Sequence, residues 1–209
     1  AYLPVGVDQP AVRRDRILAS AGARIVLDDL SAAATARPAD GPVTGPDTAL
    51  AYVLCTSGST GEPKGVEMPH AAAVNTIEDL NDRLGLGPGD RTLALSALEF
   101  DLSVYDIFGP LSTGGAVICV DEEHRRDAAE WAALARRNHA TVLNCVPALL
   151  DMLLTVAEAD GGGLGLRAVL LGGDRVTLDL PPRLAAVAPG CRFAGLGGTT
   201  QTAIHSPWQ

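Results

Sequence analysis

Short β-like runs alternate along this chain with amphipathic helical segments, and that order admits few folds. The strand-like runs are Arg24–Leu27, Ala49–Cys55, Arg91–Leu95, Ala116–Val120, Thr141–Cys145, Arg167–Leu171 and Cys191–Leu196. Helical periodicity covers Ala11–Ala21, Pro69–Leu84, Leu102–Leu111, Asp127–Arg137, Ala148–Val156 and Pro182–Val187. Gly22 and Gly85 fall where helices should stop, and Pro147 where one should start. The alternation predicts an α/β fold with largely parallel sheets flanked by helices. Ligands in such sheets gather at the carboxyl ends of strands. Two glycine-rich stretches lie at such ends, one after Cys55 and one after Leu196. Ser31–Asp47, rich in Ala, Pro, Gly and Asp, reads as a connection, and Ala159–Gly165 as a flexible loop.

The first glycine-rich stretch is Thr56-Ser57-Gly58-Ser59-Thr60-Gly61-Glu62-Pro63-Lys64-Gly65. Glycines let backbone N–H groups approach an anion, hydroxyls add donors, and Lys64 supplies a point charge. Together they suit a polyphosphate. The stretch is not the common triphosphatase pattern, because Pro63 precedes the lysine and Gly65-Val66 follows it. Its alternative reading is an ordinary surface turn.

Charge and cysteine usage narrow the partners. With 25 acidic and 16 basic residues the net charge is −9, which disfavours nucleic acid and anionic membrane surfaces. Arg13-Arg14-Asp15-Arg16 reads as the solvated face of a short helix. No apolar run is long enough to span a membrane. Cys55, Cys119, Cys145 and Cys191 each lie in an apolar stretch without metal-ligand spacing, so buried free thiols and a cytoplasmic location are expected. The 209 residues, 47% hydrophobic, can bury a core of one or two domains.

Four ordered segments carry a resemblance. Leu50–Val66 is similar to the phosphate-loop signature of the adenylate-forming (AMP-binding) superfamily. Ala1-Tyr2-Leu3-Pro4-Val5, Phe100-Asp101-Leu102-Ser103 and Gly197-Gly198-Thr199-Thr200-Gln201 resemble further motifs of nonribosomal peptide synthetase adenylation domains. The resemblance implies that residues 1–209 are the middle of a large N-terminal portion, without the C-terminal subdomain and its lysine. It implies ATP and Mg²⁺ as cofactors, an amino acid as substrate, and no nucleic-acid or membrane partner. The implied partners are a phosphopantetheine-bearing peptidyl carrier protein, heterocyclisation, condensation or oxidase domains, and a small MbtH-like activator.

Site residues follow from the same resemblance. Thr56, Ser57, Gly58, Thr60, Gly61 and Lys64 are assigned to the nucleotide phosphates, and Gly172, Gly173, Gly197 and Gly198 to the adenine side. Thr200 is assigned to the α-phosphate, and Gln201 stands where the family has a Mg²⁺-binding glutamate. Glutamine keeps an oxygen but loses the charge that Mg²⁺ favours, so impaired catalysis is expected. The amino-acid pocket would comprise Asp101, Leu102, Tyr105, Asn144, Leu170, Gly172, Leu196, Ile204 and His205. Asp101 would bind the substrate ammonium, or else simply cap the helix that follows it. The set resembles cysteine-activating domains, with Gly172 where serine and His205 where tryptophan is expected. Serine or an α-methylated amino acid therefore stays open, as does a non-catalytic remnant serving as a scaffold within a synthetase module.

Overall fold

The structure is a computed structural model describing residues 1–29, 31, 45–57, 63–197 and 200–204. Two compact units divide it, Ala1–Ala71 and Ala72–Gln209.

In the first unit, β1 (Leu50–Ser57) and β2 (Pro63–Pro69) form an antiparallel pair, with Cys55 opposite Gly65 and Thr56 opposite Lys64. Tyr2 extends the pair: its N–H donates to the Ala51 carbonyl, and its own carbonyl accepts from Val53. The Tyr2 and Tyr52 rings lie 5.8 Å apart. Helix α1 (Ala11–Ser20) packs on β2 and buries Ile17. Sequence reasoning anticipated β1 but not β2, because Pro63, Lys64 and Gly65 read as loop residues. Pro63 starts its strand, where its missing N–H removes no interior ladder bond. Arg24–Leu27, expected as a strand, is irregular backbone with Ile25 80% exposed. A β-prone run forms a strand only against a partner, and no described strand pairs with it.

The second unit is the predicted α/β layer structure. Helix α2 (His70–Leu84) is followed by β3 (Arg91–Ala94), α3 (Leu102–Ser112), β4 (Ala116–Cys119), α4 (Ala128–Arg137), β5 (Val142–Cys145), α5 (Pro147–Ala159), β6 (Ala168–Leu171), α6 (Leu180–Val187) and β7 (Arg192–Gly195). The sheet is parallel throughout, in the order β4-β3-β5-β6-β7. Leu93, Leu143, Cys145, Val169 and Leu171 point to one face and join Trp131, Leu150, Leu153, Leu154, Leu180 and Leu184 in the main core. Helix α3 packs against β3, β4 and β5 outside that cluster. After β3 the chain runs to β4 on one side; after β4 it crosses to β5 on the other. The crevice between β3 and β5 at their carboxyl ends is therefore the switch point where such sheets bind ligands.

Two smaller expectations are corrected. Only Cys145 is fully buried; Cys55 and Cys191 are half-buried and Cys119 is exposed, all as free thiols. The stretch Ala159–Gly165 is anchored, because Arg136 donates to the Gly162 and Gly163 carbonyls and pairs with Asp160 at 3.3 Å. Among the described residues no helix is long and apolar enough to cross a membrane.

Candidate functional site

The expected nucleotide residues fall on two strand ends and one hairpin. Thr56 and Ser57 close β1, and Lys64 belongs to β2, so the described ends of the glycine-rich stretch lie on two antiparallel strands. The Thr56 hydroxyl reaches the Lys64 carbonyl at 3.5 Å, the outer limit of a hydrogen bond, and Lys64 is exposed. A hydroxyl and an ammonium paired across a hairpin form a donor set that fits a polyphosphate. Gly58, Thr60 and Gly61 lie outside the described residues.

Within the second unit, β5, β6 and β7 end in register. Asn144 faces Leu170, and Leu171 faces Gly195. The Gly172 N–H donates to Cys145 O and the Leu196 N–H to Leu171 O, carrying the parallel ladder one step past the strands. Gly173 follows with φ +79°, a left-handed turn in which a Cβ would meet Val146 at 3.3 Å. That turn requires glycine. Gly197 is exposed beyond β7, while Gly198 and His205 lie outside the described residues. Thr200 and Gln201 form a short 3-10 turn with Thr202, and Gln201 is exposed. Ala203 and Ile204 follow, both buried and both at positive φ (55° and 69°). A β-branched residue there is a true outlier, and such strain gathers at functional loops.

Asp101 stands immediately before α3 at the mouth of the switch point. Its side chain makes no N-cap hydrogen bond. Desolvation raises its carboxyl above the usual carboxylate range, opposed by the Leu102 and Asp101 backbone N–H groups and by the Thr200 side chain. A half-buried, partly desolvated carboxyl is suited to a cation. The influence of Thr200 places the residue assigned to an α-phosphate near the residue assigned to an ammonium.

The other pocket positions are inward-facing. Leu102, Leu170, Leu196 and Ile204 are buried and apolar. Tyr105 is fully buried and its hydroxyl donates to Asn81 Oδ1 at 3.1 Å, so its polar atom turns toward α2. Gly109, one turn on, leaves room for the ring; a Cβ there would sit 2.9 Å from it. Asn144 is fully buried, and its amide nitrogen donates to Leu102 O and to Asp106 Oδ1. Asp106 itself escaped sequence reasoning. Its only signal was an acidic residue four positions after Leu102, on the side of the helix that meets the sheet.

The Mg²⁺ assignment fits poorly. Gln201 offers a neutral oxygen where Mg²⁺ prefers a carboxylate beside the substrate phosphates.

Comparison with known proteins agrees with the fold. The AMP-binding enzyme family model matches residues 1–208. The chain is 50% identical over 223 residues to phenyloxazoline synthase MbtB of Mycobacterium tuberculosis (strain ATCC 25618 / H37Rv), covering 98% of this chain and 15% of that protein. It is 44% identical over 221 residues to pyochelin synthetase PchE of Pseudomonas aeruginosa (strain UCBPP-PA14), covering 100% and 15%. Among solved structures, the nonribosomal peptide synthetase FmoA3 in its α-methyl-L-serine-AMP-bound form superposes with a TM-score of 0.87 at 39% identity, covering 100% of this chain and 26% of that one. Its AMPPNP-bound form gives 0.86 at 38%, covering 100% and 24%. The chain belongs to the AMP-binding enzyme family and forms part of a nonribosomal peptide synthetase adenylation domain. It spans only a small fraction, 15% to 19%, of the first curated relatives it matches.

Proposed function

We propose that this chain serves the ATP-dependent activation of cysteine, or a close analogue such as serine or an α-methylated amino acid, for loading on a peptidyl carrier protein. Asp101 carries the reading, as a partly desolvated carboxyl at the head of α3 whose side chain makes no N-cap hydrogen bond. It would hold the α-ammonium, and the Leu102, Leu170, Leu196 and Ile204 side chains would enclose a small side chain. ATP supplies the α-phosphorus that the amino-acid carboxylate attacks, with pyrophosphate leaving. In the first unit Thr56 and Lys64 would offer donors to a polyphosphate; in the second, Thr200 would face an α-phosphate and the turns at Gly172-Gly173 and Gly197 would leave backbone open to adenine.

The names of the relatives support an amino acid with a β-heteroatom. An oxazoline ring joins nitrogen and oxygen through two carbons, as a β-hydroxy amino acid does, and α-methyl-L-serine has the same pattern. Heterocyclisation, condensation or oxidase domains and a small MbtH-like activator are the partners this role would require.

The second reading is a non-catalytic scaffold, favoured by the neutral Gln201 at the metal position. ATP–pyrophosphate exchange on the complete synthetase polypeptide, with L-cysteine, L-serine, α-methyl-L-serine and salicylate in parallel, separates the readings. Exchange dependent on one of the amino acids supports activation; exchange with the aryl acid alone refutes the role of Asp101; none at all favours the scaffold.

A further inference from the structure

We propose that Asp106 is a positioning residue of the amino-acid pocket: by fixing the Asn144 amide and the Ser96 backbone, it sets where Asp101 meets a substrate ammonium. The inference rests on the amino-acid reading above.

Asp106 is fully buried, and its hydrogen-bonding partners, Asn144 and Ser96, are neutral. Oδ1 accepts from Asn144 Nδ2 at 2.9 Å, and Oδ2 accepts from the Ser96 N–H at 3.2 Å. The same Asn144 nitrogen donates to the Leu102 carbonyl at 3.0 Å, and Ser96 Oγ reaches the Asn144 carbonyl at 3.5 Å. One carboxyl thus ties together three pieces of chain: the turn after β3, the carboxyl end of β5 and the first turn of α3. Asp101 lies between two of these ties, after Ser96 and directly before Leu102. With both ties made, the approach to α3 is anchored on each side of Asp101. Burial without a cation pushes the Asp106 carboxyl up to about 7. Simple packing against β5 would be served as well by an apolar side chain, without the cost of burying a carboxyl.

The substitution Asp106→Asn separates positioning from packing. Both Asn144 Nδ2 and the Ser96 N–H are donors, so an amide can satisfy one of them while turning its own NH₂ on the other. Shape is kept and one tie is lost.

The test uses the complete synthetase polypeptide with Asp106→Asn, and Asp106→Ser as a second variant whose hydroxyl can answer only one of the two donors. Calorimetry reads the affinities for AMPPNP and for L-cysteine, L-serine and α-methyl-L-serine separately. Both variants are expected to weaken the best-bound amino acid about tenfold while AMPPNP affinity changes less than about twofold. If Asp106→Asn does not fold, Asp106→Ser carries the comparison. Unchanged amino-acid affinity, or equal losses for amino acid and nucleotide, overturns the inference and leaves Asp106 a core residue. A parent that binds AMPPNP but none of the three amino acids refutes the amino-acid reading itself, and the inference with it.

Discussion

Arg167 grips Asp90 through two nitrogens, Nε to Oδ1 and Nη2 to Oδ2, each at 2.6 Å. The same guanidinium donates to Leu84 O and Gly85 O, closing the end of α2, while the Thr141 hydroxyl donates to Asp90 Oδ1. Asp90 is 6% exposed and precedes β3; Arg167 precedes β6. One ion pair therefore holds the amino ends of the strands, opposite the candidate site. Arg167→Lys should keep the charge but lose the forked geometry, whereas Asp90→Ala should destabilise by about 1–2 kcal/mol by removing the forked partner of a guanidinium that is about a third exposed. Chemical denaturation of both variants measures this, and equal stability of Asp90→Ala and parent would refute it.

Asp90 and Asp106 should give opposite pH dependence. The Arg167 hydrogen bonds hold Asp90 below the usual carboxylate range. Its contribution is present above the unfolded value near 4 and is lost as pH falls through the folded one. Asp106 is raised to about 7 by burial. Between about 4 and 7 the unfolded chain releases that proton while the folded chain keeps it, so stability falls as pH rises through this window and levels off above it. Asp106→Asn should remove the downward slope between pH 4 and 7, and Asp90→Asn should flatten the acid limb. Denaturation midpoints across pH 3 to 8 distinguish the two.

Gly115 is packed against the same lock. A Cβ there would meet Asp90 O at 2.6 Å and Pro110 O at 3.1 Å, both backbone atoms that cannot swing aside. Gly115→Ala should cost about 2 kcal/mol or more, whereas Gly87→Ala, with open space around it, should cost under about 1 kcal/mol.

Removing the Asp101 carboxyl should abolish preference for a free α-amino group. Asp101→Ala is expected to lower amino-acid-dependent exchange by about 10²-fold in kcat/KM with the fold intact. Equal rates in parent and variant would take Asp101 out of substrate binding.

Restoring a carboxylate at Gln201 tests the metal position. Gln201→Glu in the complete polypeptide should raise Mg²⁺-dependent exchange by on the order of 10²-fold and shift half-activation to lower Mg²⁺. A variant as inert as its parent would favour the scaffold reading. A parent already fast would mean that another group holds the metal.

Local pattern was sufficient for much of this protein. Helix and strand periods fixed the α/β class, because each buried face repeats with its own spacing, and glycine-rich segments after Cys55 and Leu196 marked strand ends. Asp101 was visible as an acidic residue where a helix begins. Nothing local could say whether a run has a partner, so Ile25 reads as strand yet lies exposed, while Pro63–Pro69 reads as loop yet pairs with β1. Likewise, the meeting of Asp106, Asn144 and Ser96, and of Asp90 with Arg167, depends on parallel strands far apart in sequence coming into register. Those contacts exist only once the sheet is assembled, and they decide which polar side chains are tied down inside the fold.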